Sequence, residues 1–252
     1  MNLPSFLGPV DLVAVGFLIV AIVLTNRLVE RCSATWPSTA VLMAGYRKAW
    51  MSELPNRELK MYDAMLMVNL RAGATFFASG CMLAIGGVIA LLGQSDRLVA
   101  LAQDLAMTDA VSRVAWEAKL IFIVILLVQA FLRFIWAHRI FGYCAVLMGT
   151  IPDRQSGPPV PTERTLAAVT RAGELNVTAS RSFNRGMRTV YFTLAALAWF
   201  LGPWMLIGAT ALIMLNLFRI EFLSNTRAIL LESMSEVRHA AAVGVLDQDP
   251  PR

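Results

Sequence analysis

Residues 181–218 read RSFNRGMRTVYFTLAALAWFLGPWMLIGATALIMLNLF. The stretch begins with Arg181, Arg185 and Arg188 and then contains no charged residue before Arg219. A helix that crosses a bilayer needs about 20 consecutive, mainly apolar residues. The apolar part of this stretch is longer than that, and few soluble folds bury so long a run. The stretch therefore predicts a membrane-embedded segment that follows a basic collar.

The composition of the whole chain agrees with a membrane protein. It has 252 residues, of which 57% are hydrophobic and 15% charged, whereas soluble domains carry about 25% charged residues. Similar apolar stretches lie at 12–24, 72–92 and 119–137. We therefore expect an all-α integral membrane bundle of about four transmembrane helices with amphipathic cytoplasmic helices. Residues 1–240 are expected to form one domain and 241–252 a flexible tail.

The last apolar stretch is interrupted by Gly202 and Pro203. Proline breaks a backbone hydrogen bond and bends helices, so a single kinked helix over 190–218 is the favoured interpretation. A re-entrant hairpin that turns at these two residues is the alternative. The choice decides on which side of the membrane the C-terminal tail lies.

Lysine and arginine are distributed unevenly among the connections. Residues 26–71 and 139–188 hold seven each, 94–117 hold two, and none precedes the first apolar stretch. Basic residues gather in cytoplasmic loops, so this pattern predicts a multi-pass membrane protein with its N-terminus outside. Because topology accounts for the basic loops, binding of nucleic acid is not expected.

Several connections have helical patterns of their own. Residues 38–51 and 162–188 are expected to form cytoplasmic helices, and 98–111 a short amphipathic helix on the outer surface. Glu58 and Asp63 lie on the segment that leads into the second span, where we expect a solvated face.

The second span carries a stripe of small residues, Gly73, Gly80, Ala84 and Gly87. A spacing of seven residues is close to two helical turns, so these residues share one face. Small residues let helices approach closely in lipid. We expect the stripe to pack against another span of the same chain, and homodimerisation through it is the alternative.

Polar residues are predicted to converge at the cytoplasmic ends of spans two, three and four. They are Asn69, Arg71, Arg133, Arg139, Asn184, Arg185 and Arg188. Such a basic vestibule suits lipid headgroups or a small anion, because charge-assisted hydrogen bonds hold anions well. The alternative is that these arginines only fix topology and bind helix-end carbonyls or nearby acids. At the outer ends, Asp11 and Lys119 either pair or each contact headgroup water.

The sequence offers little for catalysis or metal binding. Cys32, Cys81 and Cys144 are far apart, His138 and His239 are the only histidines, and no span has a paired-carboxylate motif. We therefore expect neither a metal nor a cofactor and do not expect an enzyme.

Several strings resemble the DUF599 family of membrane proteins. They are SRSFNRGMRTVYF (180–192), WFLGP (199–203), RKAWM (47–51), VNLRAGATFFAS (68–79), FIWAHRIFGYCAVLMGTIP (134–152) and FRIEFLS (218–224). The similarity covers roughly residues 12–231, in the family's order. The resemblance implies a multi-span helical membrane protein, which we expect in a bacterial inner membrane, and it implies no reaction or ligand.

Three functional hypotheses remain, of which a membrane enzyme ranks last. The first is a scaffold or assembly protein that interacts with membrane lipids, with a membrane protein partner or with copies of itself. The second is an oligomeric transporter or channel for a small anion, which the basic vestibule and the break at Gly202 and Pro203 favour.

Overall fold

The fold was taken from a computed structural model that describes residues 8–31, 36–94, 113–155 and 161–232. Of these residues 88% are helical and none forms a strand, which confirms the all-α class. The long helices are α1 Pro9–Glu30, α2 Thr39–Ser52, α3 Met61–Leu92, α4 Arg113–Gly149, α5 Glu163–Leu197 and α6 Pro203–Phe222. The surface helix predicted at 98–111, the tail at 241–252, Cys32 and His239 lie outside the described residues.

Among the described helices, α1, α3, α4 and α6 with its extension to Glu232 are long and apolar enough to cross a membrane. The predicted number of four such helices is therefore confirmed. Polar caps define where the two amphipathic helices start. The Ser38 Oγ accepts a hydrogen bond from the Val41 backbone N–H at the start of α2, and Thr162 caps α5 in the same way.

The single kinked helix expected over 190–218 is wrong, and the hairpin is what forms. Helix α5 ends in a short 3₁₀ turn, Ala198–Leu201, and α6 begins at Pro203. Between them Gly202 has φ 127° and ψ 163°, a conformation open essentially only to glycine. Pro203 then occupies the first turn of α6, where its missing N–H leaves no helical bond unmade.

The hairpin brings the end of α6 back to the end of α1. At one end of the bundle Trp199 contacts both Asp11 of α1 and Lys119 of α4; we call this the Asp11 end. At the other, the Glu221 carboxylate of α6 accepts a hydrogen bond from the Ala40 N–H at the start of α2. This second end also holds the last turn of α1, and we call it the Glu30 end.

Helices α4 and α5 run antiparallel along the whole molecule. They pack tightly at Gly186, where an added Cβ would lie 2.8 Å from the Phe134 ring. Real Cβ atoms do not approach so closely, so glycine is required there. Phe134 is fully buried and stacks on Phe77 of α3, with 5.4 Å between ring centroids. This contact locks α3, α4 and α5 together.

Beyond the Glu30 end, a second layer packs around α2. The layer consists of α2, the start of α3, the end of α4 and the first half of α5, and Met51, Leu54 and Phe141 are buried in its core. Asp63 belongs to this layer and is completely buried, so the solvated face expected for it is wrong.

The Asp63 Oδ1 atom accepts hydrogen bonds from the Trp50 indole at 2.6 Å and from Arg57 at 2.8 Å. Asp63 therefore links α2 to α3, although its sequence position suggested a surface residue. The helical pattern around Asp63 cannot reveal this link, because Trp50 and Arg57 lie on other elements.

Within the described segments, the small-residue stripe on α3 does not pack against another helix. No atom of another helix there lies within 4 Å of a Cβ built on Gly73, Gly80 or Gly87, and Ala84 is exposed. Helix α3 instead turns Ala74, Ala78 and Cys81 towards its neighbours. The expected intrachain contact is therefore wrong, and homodimerisation through the stripe stays a prediction.

Candidate functional site

The centre of the Glu30 end is a carboxylate shared between two arginines. Arg185 of α5 donates to both oxygens of Glu30, with its Nε 2.7 Å from Oε1. Arg188, one turn later, donates to Oε1 at 2.7 Å and to the Asn26 Oδ1 at 2.6 Å. Only 3% of the surface of Arg188 is exposed. Because i and i+3 share a helix face, α5 presents both guanidiniums to α1.

Next to this group lies an open cleft of about 370 Å³. Four arginines line it together with one carboxylate; the lining residues are Val23, Asn26, Arg27, Glu30, Arg31, Arg133 and Arg185. We call it the basic cleft. Its excess of positive charge makes it suited to an anionic group.

The cleft exists because α5 packs against both α1 and α4 and leaves a groove between those two helices. Arg133 of α4 reaches the groove from one side, and its own carbonyl accepts a hydrogen bond from Ser182 of α5 at 2.9 Å. Arg27 and Arg31 approach from the other side. Within the described residues, none of these three arginines has an acidic partner, so their charges remain available.

The predicted vestibule is therefore only partly assembled. Arg133 and Arg185 meet in the basic cleft, while Asn184 and Arg188 line a smaller cavity on the other side of Glu30. The prediction that all these residues converge is wrong for Arg71 and Arg139, which lie elsewhere.

Arg71 sits on the α3–α4 contact and not in the cleft. Its Nη2 lies 3.4 Å from Nε2 of His138, and the other ring nitrogen of His138 is 3.0 Å from the Thr75 Oγ1. The Nε of Arg71 is buried and has no partner among the described residues. Gly142 borders this side chain, and a Cβ added there would lie 4.0 Å from the Arg71 Cζ, an ordinary van der Waals contact.

Arg139 is exposed on the surface of α4. It donates to the Tyr143 hydroxyl at 2.9 Å and lies 5.7 Å from the Trp136 ring centroid. Both aromatic rings are about half exposed. Tryptophan and tyrosine with an arginine between them are typical of the headgroup level of a membrane.

At the Asp11 end, Asp11 and Lys119 meet through a third residue. The Trp199 indole N–H donates to the Asp11 carboxylate at 2.7 Å, and the Lys119 ammonium donates to the Trp199 carbonyl at 3.0 Å. The ammonium also lies 5.3 Å from the Trp199 ring centroid. Trp199 thus bridges Asp11 and Lys119, for which the sequence left pairing as one of two alternatives.

Sequence reasoning missed Glu30 and Arg47 as site residues and used Arg27 and Arg31 only for topology. A signal was present at the end of α1, where Arg27, Glu30 and Arg31 follow the apolar run within little more than one turn. Arg47 was harder to find, because its role depends on α5. Its Nη1 donates to the buried Asn176 at 2.7 Å, and burial lowers the pKa of its guanidinium.

A family profile described as "Protein of unknown function, DUF599" matches residues 12–226. The chain belongs to the DUF599 family. Neither a curated protein nor a solved structure matches it. The match covers the six long helices described above almost completely, and it includes Glu30, Arg133, Arg185 and the Gly202 turn of this DUF599 protein.

No group of three or more His, Cys, Asp or Glu side chains gathers within the described part of this DUF599 protein in a way that suits a metal ion. The expectations that it is not an enzyme and that it has no cofactor stay predictions.

Proposed function

We propose that this DUF599 protein is a lipid-interacting membrane protein that binds the phosphate of anionic lipid headgroups in the basic cleft. The observation that carries the proposal is the open cleft of about 370 Å³, which four arginines line against the single carboxylate of Glu30. Arginine suits phosphate because its guanidinium donates hydrogen bonds in a planar fork.

The surroundings of the cleft favour a lipid over a soluble anion. Val23 lines the cleft, and the apolar surfaces of α1 and α4 continue from it towards the Asp11 end, where acyl chains would lie. Trp136, which is about half exposed, lies one turn from Arg133 on α4 and provides an aromatic side chain suited to the membrane interface close to the level of the cleft. A phosphate in the cleft would then sit at headgroup depth.

The same proposal orients the chain with its N-terminus outside and its Glu30 end in the cytoplasm. In this proposal α5 crosses the bilayer packed against the four apolar helices α1, α3, α4 and α6, because its last part reaches the Asp11 end before α6 returns. The end of α6 then lies on the cytoplasmic side, where Arg219 and Arg227 agree with the positive-inside rule. A single helix over 190–218 would have left these two arginines outside.

Native mass spectrometry of the delipidated protein, titrated with phosphatidylglycerol or phosphatidylcholine, tests the proposal. We expect tighter binding of phosphatidylglycerol, and the variants Arg133→Ala and Arg27→Ala should each weaken it. An arginine near an anionic surface contributes about 1 kcal/mol, which corresponds to about five-fold in affinity. The matched control is Arg139→Ala, which removes the same side chain from the same helix outside the cleft.

Competing inorganic phosphate at constant ionic strength separates the two sources of the phosphate group. Displacement of lipid only at high phosphate concentration supports a headgroup site, whereas equal competition at low concentration indicates a site for free phosphate. Equal affinity for the two lipids, or an unchanged affinity in Arg133→Ala, would refute the proposal. The same spectra report the oligomeric state that the alternative, an oligomeric anion transporter, requires.

A further inference from the structure

The basic cleft carries more positive charge than the nearby carboxylates balance. Glu30 already binds Arg185 and Arg188, and Arg188 also interacts with the Glu221 carboxylate. Within the described residues, the cleft and the ion pairs of Glu30 thus combine two carboxylates with five arginines: Arg27, Arg31, Arg133, Arg185 and Arg188. A headgroup with a single negative charge would leave most of the excess positive charge unbalanced.

The arginines approach the cleft from three helices. The end of α1 supplies Arg27 and Arg31. Arg133 comes from α4 and Arg185 from α5. These side chains therefore surround a ligand on three sides, while Val23 lines the cleft towards the apolar part of α1.

The cleft offers many donors and few acceptors. Asn26 and Glu30 are the only lining side chains that can accept a hydrogen bond, and both already accept from Arg188. Arg185 uses its Nε and Nη2 for Glu30, and its Nη1 makes no hydrogen bond within the described part of the chain. The cleft therefore suits bare phosphate oxygens better than the hydroxyl or ammonium group of a larger headgroup.

The two kinds of phosphate ester differ in what they present to such donors. A phosphodiester has one negative charge and two terminal oxygens. A phosphomonoester has three terminal oxygens and carries about 1.5–2 negative charges at pH 7, because its second pKa is about 6. Nearby positive charges favour its doubly ionised form. A monoester thus balances more of the excess charge and can turn one oxygen to each of the three helices.

We infer that the basic cleft selects lipids whose phosphate is a terminal monoester, such as phosphatidic acid, over lipids whose phosphate is a diester. The inference rests on the proposed function and narrows its ligand class. Arg27, Arg31 and Arg133 donate to the terminal oxygens, and Arg185, which Glu30 holds in place, donates through its Nη1. The ester bond leaves the cleft past Val23, towards the acyl chains.

Native mass spectrometry of the delipidated protein tests this inference by comparing phosphatidic acid with phosphatidylmethanol of the same acyl chains. Phosphatidylmethanol differs by one methyl group on the phosphate, which removes one charge and one terminal oxygen. At pH 7.5 phosphatidic acid should bind about five-fold more tightly, the factor expected for one more charge beside an arginine. At pH 5 the free monoester carries a single charge, so the ratio of the two affinities should approach one.

A variant of the cleft provides the matched comparison. Arg31→Gln removes one positive charge and leaves the partners of Glu30 in place, so its preference for phosphatidic acid over phosphatidylmethanol should fall about two-fold or more. Arg139→Gln removes an exposed arginine outside the cleft and should keep the preference of the unchanged protein. Taking the ratio of two lipids within each variant removes any general effect of the substitution.

Glycerol 3-phosphate separates a lipid from a soluble ligand, because it carries the same terminal phosphate without acyl chains. Displacement of phosphatidic acid only at a much higher concentration of glycerol 3-phosphate supports a lipid site. Competition at equal concentration would assign the cleft to a soluble phosphomonoester and refute the lipid.

Two further outcomes would overturn the inference. Equal affinity for phosphatidic acid and phosphatidylmethanol at pH 7.5 means that the cleft does not distinguish the two esters. A ratio that stays the same at pH 5 or in Arg31→Gln means that the charge of the cleft does not set the preference. In both cases tighter binding of phosphatidylglycerol than of phosphatidylcholine would leave the proposed function standing, whereas loss of that difference would refute both.

Discussion

The two ends of the bundle balance their charges in different ways. At the Asp11 end one carboxylate and one ammonium flank Trp199, and each makes a hydrogen bond with it. At the Glu30 end one carboxylate holds two guanidiniums, and further arginines of the basic cleft have no acidic partner within the described residues. The first end is therefore self-contained, while the second retains positive charge that an external anion can neutralise.

The largest effect is expected from Glu30→Ala. This change leaves Arg188 buried without its carboxylate, and loss of one partner of a buried ion pair costs about 3–5 kcal/mol. The free energy of unfolding in mixed micelles, measured by denaturant titration, should fall by that amount. Because Arg185 is more exposed than Arg188, most of the loss should come from Arg188.

Two further variants make this experiment specific. Glu174→Ala removes a glutamate from the exposed face of α5 and should change the free energy of unfolding very little. Adding Arg188→Met to Glu30→Ala should recover part of the lost stability, because an apolar side chain of similar length carries no unpaired charge. If Glu30→Ala proves as stable as Glu174→Ala, the shared carboxylate does not hold the Glu30 end together.

The Asp11 end depends on backbone geometry at the turn. Gly202→Ala places a Cβ in a conformation that is essentially restricted to glycine, at a cost of about 1–3 kcal/mol. The same denaturant titration should detect this loss. Gly208→Ala is the control, since Gly208 lies within α6 and has open space around its Cβ position; this variant should be neutral or slightly more stable. Equal losses in the two variants would contradict the role of the Gly202 conformation.

Local sequence signals were sufficient to predict the apolar helices and the starts of α2 and α5. Length and hydrophobicity identified the apolar helices, and the positions of Ser38 and Thr162 agree with the starts of α2 and α5. These features depend on residues a few positions apart, so a pattern along the chain contains them. The family strings around Arg188 pointed to the same membrane architecture.

Contacts between helices could not be predicted in the same way. The stripe at Gly73 and Gly80 shares one helix face, but which face meets α4 depends on the rotation of α3, and Ala74 and Ala78 occupy that contact. The rotation of the helices was equally unknown for Arg71 and Arg133. Both were predicted at a similar depth, but they lie in different contacts. At Gly202 the sequence allowed either a kink or a turn, and only the partners of Glu221 at the start of α2 decide between them.

The smallest expected effect concerns the hydrogen bond between Asp11 and Trp199. Both residues belong to the self-contained end, and removal of one hydrogen bond there costs about 1 kcal/mol. Asp11→Ala and Trp199→Phe should therefore each lower the free energy of unfolding. The double variant should lose less stability than the sum of the two single losses, because the hydrogen bond is lost only once.

The coupling energy from this cycle measures the bond itself and should be about 0.5–1.5 kcal/mol. Phosphatidylglycerol binding should be the same in all members of the cycle, since the basic cleft lies at the other end of α1. Strictly additive losses would mean that the indole and the carboxylate do not interact. A change in lipid binding would mean that the two ends are coupled through α1, and that the contrast between them is weaker than their charges indicate.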